Sequence, residues 1–351
     1  MADPQPGPTA VADAPAAKVT PASRGFIGYV AERWDLVLRL GLLGIIIILA
    51  VFFSIKTAPS ILQVGSSTFL SVDNLQNIGR QMAVIGVVAI GETFVIVTAG
   101  IDLSVGSTLG LTALVSAIML EHGWPLGLAI LVPLVLGAGI GLFNGTLIDT
   151  QKLPPFIVTL GMLTVLRGIT NIMAGGVDVV FTSTGFTNFG INTTLGIPNL
   201  FLVLIAVCLI ATVVLHFSRL GRHIYALGSN YEGARLAGIN VRSTTLFVYT
   251  VSGLLAAIAG ILLTSRIGLG APDSGIGNEL DAISASVLGG ASLFGARGTI
   301  PGTFMGVLLV NMIFNGINLL NVDTFFGQVI EGALLIAIVW VDQWRKRKLA
   351  L

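Results

Sequence analysis

The chain has 351 residues, of which 54% are hydrophobic and only 10% are charged, and its formal net charge is +1. A soluble domain carries roughly 25% charged residues, so this chain has too few polar side chains to cover its surface in water. Lipid must cover most of it, and the composition predicts an all-α integral membrane protein. Lysine and arginine occur in a few clusters, which leaves no basic surface for nucleic acid. Cys208 is the single cysteine, which excludes an internal disulfide and a cysteine-based metal site.

Residues 1–35 are rich in alanine and proline and lack the apolar core of a signal peptide, so we expect a disordered cytoplasmic tail. A helix needs about 20 apolar residues to cross a bilayer. The predicted transmembrane domain, residues 36–344, offers about ten such segments, at 36–55, 78–99, 103–120, 125–145, 155–174, 197–217, 244–265, 280–294, 299–319 and 324–341.

Two of these segments are weak. Only Gly100-Ile101-Asp102 separates 103–120 from the segment before it, and 280–294 is short for a crossing. We therefore expect eight to ten crossings, with both weak segments as candidates for a half-helix or a re-entrant piece.

Basic residues are unevenly distributed among the connections. With ten crossings and the N-terminus inside, thirteen of the 18 lysines and arginines fall on the cytoplasmic side, and only Lys56, Arg80 and Arg266 fall outside. The positive-inside rule then predicts that both termini are cytoplasmic, together with the polar loop 218–243 and the basic C-terminus 345–351.

Polar side chains within the apolar segments are the informative residues. A charge at the centre of a membrane helix costs roughly 2.5–3.5 kcal/mol or more, so these groups must face the bundle interior, pair with one another or line water. Either a translocation path or a set of structural pairs satisfies this requirement. The charged members are Glu92, Asp102, Arg167, Glu279, Asp281 and Glu331, and the candidate path residues are Glu92, Asn144, Arg167, Asn311, Asn315 and Asn318.

Glycines and a weak internal similarity indicate how the helices pack. Gly137, Gly141 and Gly145 recur every four residues, the spacing that allows two membrane helices to approach closely. The stretches 100–106 and 279–284 both place an aspartate and then a serine at the start of a weak segment. Paired interruptions of this kind are typical of transporters with broken helices.

The sequence contains neither a G-x-x-x-x-G-K-[ST] nucleotide-binding motif nor a G-x-S-x-G nucleophile motif. The three histidines lack metal-ligand spacing. We therefore expect no catalytic residue, no metal and no cofactor on this chain.

The loop 218–243 contains a stretch that can form two turns of helix. Asn230 is the expected cap, Glu232 and Arg235 are spaced to pair, and Leu236 and Ile239 form an apolar face. A solvated connector and a helix that docks on a partner both fit this pattern.

Four stretches together resemble the permease subunit of bacterial ATP-binding-cassette importers for monosaccharides such as ribose, xylose and arabinose. They are 98–107 (TAGIDLSVGS), 155–161 (PFIVTLG) with Arg167-Gly168, 228–239 (GSNYEGARLAGI), and 287–299 (VLGGASLFGARGT) followed by 315–320. Glu331 stands where a basic or neutral residue is expected in many members of the family.

The resemblance implies a type II importer-like bundle in the bacterial inner membrane. It implies a second permease copy, separate ATPase subunits that bind ATP and magnesium, and an extracytoplasmic sugar-binding protein. It identifies residues 230–239 as the helix that couples the permease to the ATPase, with Asn230, Tyr231, Glu232, Ala234, Arg235, Gly238 and Ile239 as its key members. It also marks Asp102, Ser104, Gly106, Gly289 and Gly290 as structural motif residues.

Other functions are compatible with the same residues. Within the family, the substrate can be a nucleoside, inositol or a signalling furanoside instead of a pentose or hexose. From other classes, the alternatives are an ion-coupled secondary transporter, in which Glu92 or Glu331 carries a proton, and a membrane scaffold without transport activity.

Overall fold

The computed structural model describes residues 34–59 and 65–349, so the predicted N-terminal tail lies almost wholly outside the described residues. The compact unit of the fold begins at Leu38. Thirteen helices occur in the described part, and residues 213–217 continue α7 as a π-helix. The helices are α1 (Trp34–Thr57), α2 (Val72–Val97), α3 (Val105–Glu121), α4 (Leu126–Thr150), α5 (Pro155–Ala174), α6 (Thr184–Ile191), α7 (Asn199–Thr212), α8 (Arg219–Ser229), α9 (Tyr231–Leu236), α10 (Val241–Ile267), α11 (Asn278–Leu288), α12 (Ile300–Leu319) and α13 (Phe325–Leu349).

Four strands of two residues each form two small antiparallel pairs. β1 (Val179–Val180) pairs with β4 (Leu269–Gly270), and β2 (Thr193–Thr194) pairs with β3 (Ile197–Pro198).

Seven of the helices are long and apolar enough to cross a membrane, namely α1, α2, α4, α5, α7, α10 and α12. The other three predicted segments form shorter apolar helices. In α3 there are 17 residues, the apolar part of α13 is Phe325–Trp340, and α11 has only 11 residues. An 11-residue helix is about 16 Å long, which is roughly half of the bilayer core. The length of α11 agrees with a half-helix, one of the alternatives that the sequence leaves open for 280–294.

The helices differ in how deeply they are buried. In α2, 83% of the apolar window is buried, and in α12 72%, whereas in α5 and α7 the share is 22%. Helices α2, α10 and α12 thus form the centre of the bundle, and α1, α4, α5 and α7 present wide apolar faces to the surroundings. Apolar faces of this width need lipid or another membrane-embedded chain to cover them.

The glycine stripe of α4 packs against α10, as its spacing predicts. A Cβ atom at Gly141 would overlap the carbonyl oxygen of Tyr249, and one at Gly253 would overlap that of Gly137. The two backbones are therefore in direct contact, which only residues without a side chain allow.

Four connections meet at one end of the bundle. The amide of Ala296 donates to the carbonyl oxygen of Val97 at 2.9 Å, which joins the α11–α12 connection to the end of α2. The hydroxyl of Tyr225 on α8 donates to the carbonyl oxygen of Gly298 at 2.7 Å, and Lys152, between α4 and α5, donates to the hydroxyl of Tyr231 at 3.0 Å. We call this the α8–α9 end of the bundle.

The other end carries α6 and the four short strands. There Ser265 at the end of α10 donates to the carbonyl oxygen of Phe186 at 2.6 Å, and Gln76 donates to that of Gly196 at 3.1 Å.

Candidate functional site

The most deeply buried polar cluster lies at the start of α3. Oδ1 of Asp102 accepts from the amide (3.0 Å) and the hydroxyl (2.6 Å) of Ser104, and Oδ2 accepts from Ser252 on α10 at 2.9 Å. The Asp102 amide donates to Oε1 of Glu92 on α2 at 3.1 Å, and Asn144 on α4 donates to the Ser104 hydroxyl at 2.9 Å. Asp102 is 1% exposed, and these bonds fasten the α2–α3 connection to three helices.

The predicted path residues Glu92 and Asn144 therefore belong to one network inside the monomer, where both are fully buried. Oε2 of Glu92 and Oδ1 of Asn144 have no hydrogen-bond partner among the described residues. The motif residues Asp102 and Ser104 are the centre of the same network.

Arg167 on α5 holds the connection between α10 and α11. Its guanidinium donates to the carbonyl oxygens of Ser274 at 2.7 Å and Pro272 at 3.1 Å. This connection runs along α3. A Cβ atom at Gly110 would collide with the carbonyl oxygen of Ser274, and one at Gly275 would collide with that of Gly106.

The N-termini of α3 and α11 meet at this point. A Cβ atom at Gly106 would overlap Oε2 of Glu279, in the first turn of α11, so the carboxylate lies directly against the first turn of α3. A carboxylate is stabilised at a helix N-terminus, where the amides are free and the dipole is positive. The two stretches with the internal similarity thus start two short helices that face each other.

The remaining charged pair lies on α11 and α13. Glu331 is 6% exposed and interacts electrostatically with Asp281 on α11. The two carboxyl groups therefore face each other inside the bundle, as expected for charged groups within apolar segments.

The three asparagines of α12 do not join Glu92 and Arg167 in one cluster. Asn315 exchanges two hydrogen bonds with Asn74 on α2, at 2.8 and 3.0 Å, and Asn311 donates to the carbonyl oxygen of Val307 at 2.9 Å. Both are buried, whereas Asn318 is exposed. Asn74 was not among the predicted residues, since nothing local in the sequence marks a partner 241 positions away.

Helix α9 has the cap and the ion pair that its sequence predicts, but it ends at Leu236, so Ile239 lies outside the helix and does not share a helical face with Leu236. The amide of Gly233 donates to Oδ1 of Asn230 at 2.9 Å, which caps the helix. Arg235 pairs with Glu232 at 2.8 Å, and Leu236 is 83% exposed.

Within the chain, Ala234 and Gly238 differ in their surroundings. Ala234 is buried, but a Cβ atom at Gly238 would meet nothing within 4 Å. Gly238 instead has a φ of +80°, a left-handed conformation that glycine adopts without strain, and it ends α9.

A cluster that sequence reasoning missed anchors α9. Asp149 at the end of α4 lies 3.4 Å from the Lys152 ammonium and 3.9 Å from Nε of Arg242. Lys152 also lies over the Tyr231 ring, 5.6 Å from its centroid. The hydrogen bond to Tyr231 raises the pKa of Lys152, so the lysine is charged throughout the physiological range.

Helix α8 connects α9 to the core. A Cβ atom at Gly228 would overlap the carbonyl oxygen of Val97, so α8 lies in backbone contact with the end of α2. A Cβ atom at Gly289 would likewise overlap the carbonyl oxygen of Gly302 on α12, and Gly290, with a φ of +97°, turns the chain after α11. The α8–α9 segment therefore contacts the connections that flank both short helices, α3 and α11.

The sequence of the chain is similar to known membrane permeases. Residues 74–339 match the family described as branched-chain amino acid transport system / permease component. The ribose import permease protein of Escherichia coli K12 is 42% identical over 284 residues, which cover 79% of this chain and 88% of that protein. The ribose import permease protein of Bacillus subtilis is 40% identical over 285 residues, covering 81% and 88%.

The xylose transport system permease protein of E. coli K12 is 34% identical over an alignment of 390 positions, which covers 93% of this chain and 96% of that protein. No solved structure matches the chain. The chain belongs to the permease family that includes the ribose and xylose import permeases, and it is a multi-pass protein of the inner membrane.

Proposed function

We propose that this chain is the transmembrane permease subunit of an ATP-driven importer that moves a monosaccharide delivered by an extracytoplasmic binding protein. The similarity to the ribose and xylose permeases supports the substrate class. The observation that carries the mechanism is the contact of the α8–α9 segment with the connections flanking α3 and α11. The chain itself hydrolyses nothing, since a separate ATPase chain supplies that reaction in this family.

In this proposal the α8–α9 end of the bundle faces the cytoplasm. Its connections carry six basic residues, namely Lys152, Arg219, Arg222, Arg235, Arg242 and Arg297. The positive-inside rule places such connections in the cytoplasm. The orientation puts both the N-terminus and the C-terminus on that side, as well as the coupling loop 218–243.

Coupling then starts at α9, whose exposed apolar side chain at Leu236 is the contact offered to the ATPase. Motion of α9 reaches α8 directly, because only Asn230 separates the two helices. From α8 it passes through Gly228 to the end of α2 and through Tyr225 to Gly298. The facing N-termini of α3 and α11 are the elements that this route is able to move.

The exposed face of α5 is the proposed contact with a second copy of the chain. Gly161, Thr164, Gly168 and Asn171 are exposed and recur every three or four residues, so they form a small and polar stripe on an apolar helix. Polar and small side chains are unfavourable towards lipid tails but suit a close helix contact.

We propose two different roles for the six predicted path residues. Arg167 lies on α5 beside this stripe, and we propose that it borders the sugar path between the two copies. Asn318 is exposed at the other end of the bundle and stays a path candidate. We propose structural roles for Glu92, Asn144, Asn311 and Asn315, which are sealed in the monomer.

Reconstitution tests the proposal. The permease is incorporated into proteoliposomes with the ATPase and the binding protein of its system, and uptake of labelled ribose and xylose is measured with and without ATP. We expect uptake that requires ATP and the binding protein. Uptake that is driven by a proton gradient without ATP would identify a secondary transporter and refute the proposal.

A further inference from the structure

Lys152 has a backbone conformation that its residue type does not favour. Its φ is +53°, in the left-handed region that glycine adopts without strain and other residues seldom occupy. A residue is held in this region only where its surroundings impose it, and such strain is concentrated at functional positions. Glycine would fit this backbone better, so a reason for lysine has to be found in its side chain.

The ammonium of Lys152 links the start of α9 to the end of α4. It donates to the hydroxyl of Tyr231, the first residue of α9, at 3.0 Å, and to Oδ1 of Asp149 at 3.4 Å. Asp149 is 9% exposed, and its other carboxylate oxygen lies 3.9 Å from Nε of Arg242, at the start of α10. Asp149 therefore holds the lysine in place, and the lysine holds Tyr231.

This link lies beside a gap in the packing. Lys152 and Tyr231 both line a cavity of about 290 Å³, whose other walls come from the end of α2, α8, the α4–α5 connection and the first turns of α10. Because side chains do not fill this space, packing alone does not fix the distance between α9 and the α4–α5 connection. A hydrogen bond from a charged donor then has a large share in setting that distance.

The α4–α5 connection is short and stiff. It consists of Gln151, Lys152, Leu153 and Pro154, and α5 begins at Pro155. The two proline rings fix φ at consecutive positions. A displacement of Lys152 is therefore passed on to the start of α5, since the connection has little freedom to absorb it.

Helix α5 in turn is bonded to the connections in front of both short helices. The hydroxyl of Thr159 lies 3.1 Å from the carbonyl oxygen of Ile101, just before α3, and shares its proton with the carbonyl oxygen of Pro155 at 3.0 Å. Arg167 donates to the carbonyl oxygen of Ser274, just before α11, at 2.7 Å. Movement of α5 would therefore act on the N-termini of α3 and α11.

We propose that Lys152 is a positioning residue for energy coupling: together with Asp149 it holds α9 to the α4–α5 connection and provides a second route of transmission, from α9 to α5. The inference rests on the proposed function, in which α9 docks on the ATPase. The route through Gly228 and Tyr225 leads to α2 and to the α11–α12 connection. The route through Lys152 leads to α5, the helix proposed to face the second copy of the chain.

Lys152→Gly separates the side chain from the backbone, because it removes the ammonium and relaxes the strained φ. The permease is reconstituted with the ATPase and the binding protein of its system, and the sugar taken up per ATP hydrolysed is measured. We expect this ratio to fall several-fold, while the ATPase still co-purifies and the melting temperature of the permease is not lowered. Leu195→Gly is the control for stability, since Leu195 has a φ of +54° and is 97% exposed at the other end of the bundle.

Two further variants test the bond itself. Lys152→Arg keeps a cationic donor and should retain the wild-type ratio of sugar to ATP. Tyr231→Phe removes the acceptor and keeps the ring, so it should lower the ratio as Lys152→Gly does.

A wild-type ratio in Lys152→Gly or in Tyr231→Phe would overturn the inference, as would an equal loss in Lys152→Arg. Loss of the ATPase from the Lys152→Gly complex, or a fall in its melting temperature that Leu195→Gly does not show, would also overturn it, because the residue would then serve docking or folding. ATP-dependent uptake that Lys152→Gly leaves intact refutes the second route alone. Wild-type uptake that needs no ATP refutes the proposed function.

Discussion

The hydroxyl of Tyr225 donates to the backbone carbonyl oxygen of Gly298 at 2.7 Å. The two residues lie 73 positions apart, on α8 and on the connection between α11 and α12. The bond ties α8 to the connection that leads from α11 into α12. It is therefore a point where motion can pass from one to the other.

Replacing Tyr225 by phenylalanine removes this bond and leaves the ring in place. We expect a loss of about 0.5–1.5 kcal/mol of stability, the usual net contribution of one hydrogen bond. We also expect uptake to fall more than ATP hydrolysis in the reconstituted complex, since the transmission is weakened and not the ATPase. Ser229→Ala, an exposed change on the same helix, is the control. Equal and small effects of both substitutions would show that the bond transmits nothing.

The titration of the Tyr225 hydroxyl leads to a prediction about pH. Burial raises the pKa of Tyr225 from 10.0 to about 12. The raised value means that the contribution of the protonated hydroxyl to stability is fully present below pH 10 and is lost as the pH rises through 12. A tyrosinate absorbance titration of the wild type and of Tyr225→Phe should therefore differ by one group titrating near pH 12. A difference that titrates near pH 10 would show that the hydroxyl is not buried.

Features that depend on near neighbours in the sequence were predicted correctly. The cap by Asn230, the pairing of Glu232 with Arg235 and the stripe at Gly137, Gly141 and Gly145 all depend on spacings of three or four residues along one helix. The shortness of the segment at 280–294 was also predictable, because hydropathy gives its length directly.

Features that depend on partners distant in the sequence were not predicted. The pairing of Asn74 with Asn315 and that of Lys152 with Tyr231 join residues 241 and 79 positions apart. A polar residue in an apolar segment shows that some partner is needed, but not which one. This is why six residues were grouped as one path, although the structure divides them among separate contacts.

Gly106→Ala is expected to destabilise the permease. The added Cβ atom would collide with the Glu279 carboxylate and approach the carbonyl oxygen of Gly275, so the N-termini of α3 and α11 would have to separate. Overpacking of this kind typically costs about 1–3 kcal/mol. Thermal stability of the purified permease measures it, with Gly127→Ala as the matched control, because a Cβ atom at Gly127 meets nothing within 4 Å. A melting temperature for Gly106→Ala equal to that of the control would contradict the packing of the two short helices.

Leu236→Asp tests the docking face of α9. The side chain is 83% exposed, so the substitution should not change the fold or the membrane insertion of the permease. In the assembled complex the aspartate would bring a charge into an apolar contact with the ATPase. We expect complex formation to weaken and uptake to be lost, while the amount of permease in the membrane stays constant.

Glu232→Gln is the matched control on the same helix, since it removes only an exposed ion pair, which is worth about 0–1 kcal/mol. Co-purification of the ATPase with each variant, followed by uptake, is the measurement. If Leu236→Asp retains the ATPase and normal uptake, α9 does not dock through this face. Loss of uptake with full retention of the ATPase would instead place the role of Leu236 in transmission after docking, and the route through Gly228 and Tyr225 would then be the next to examine.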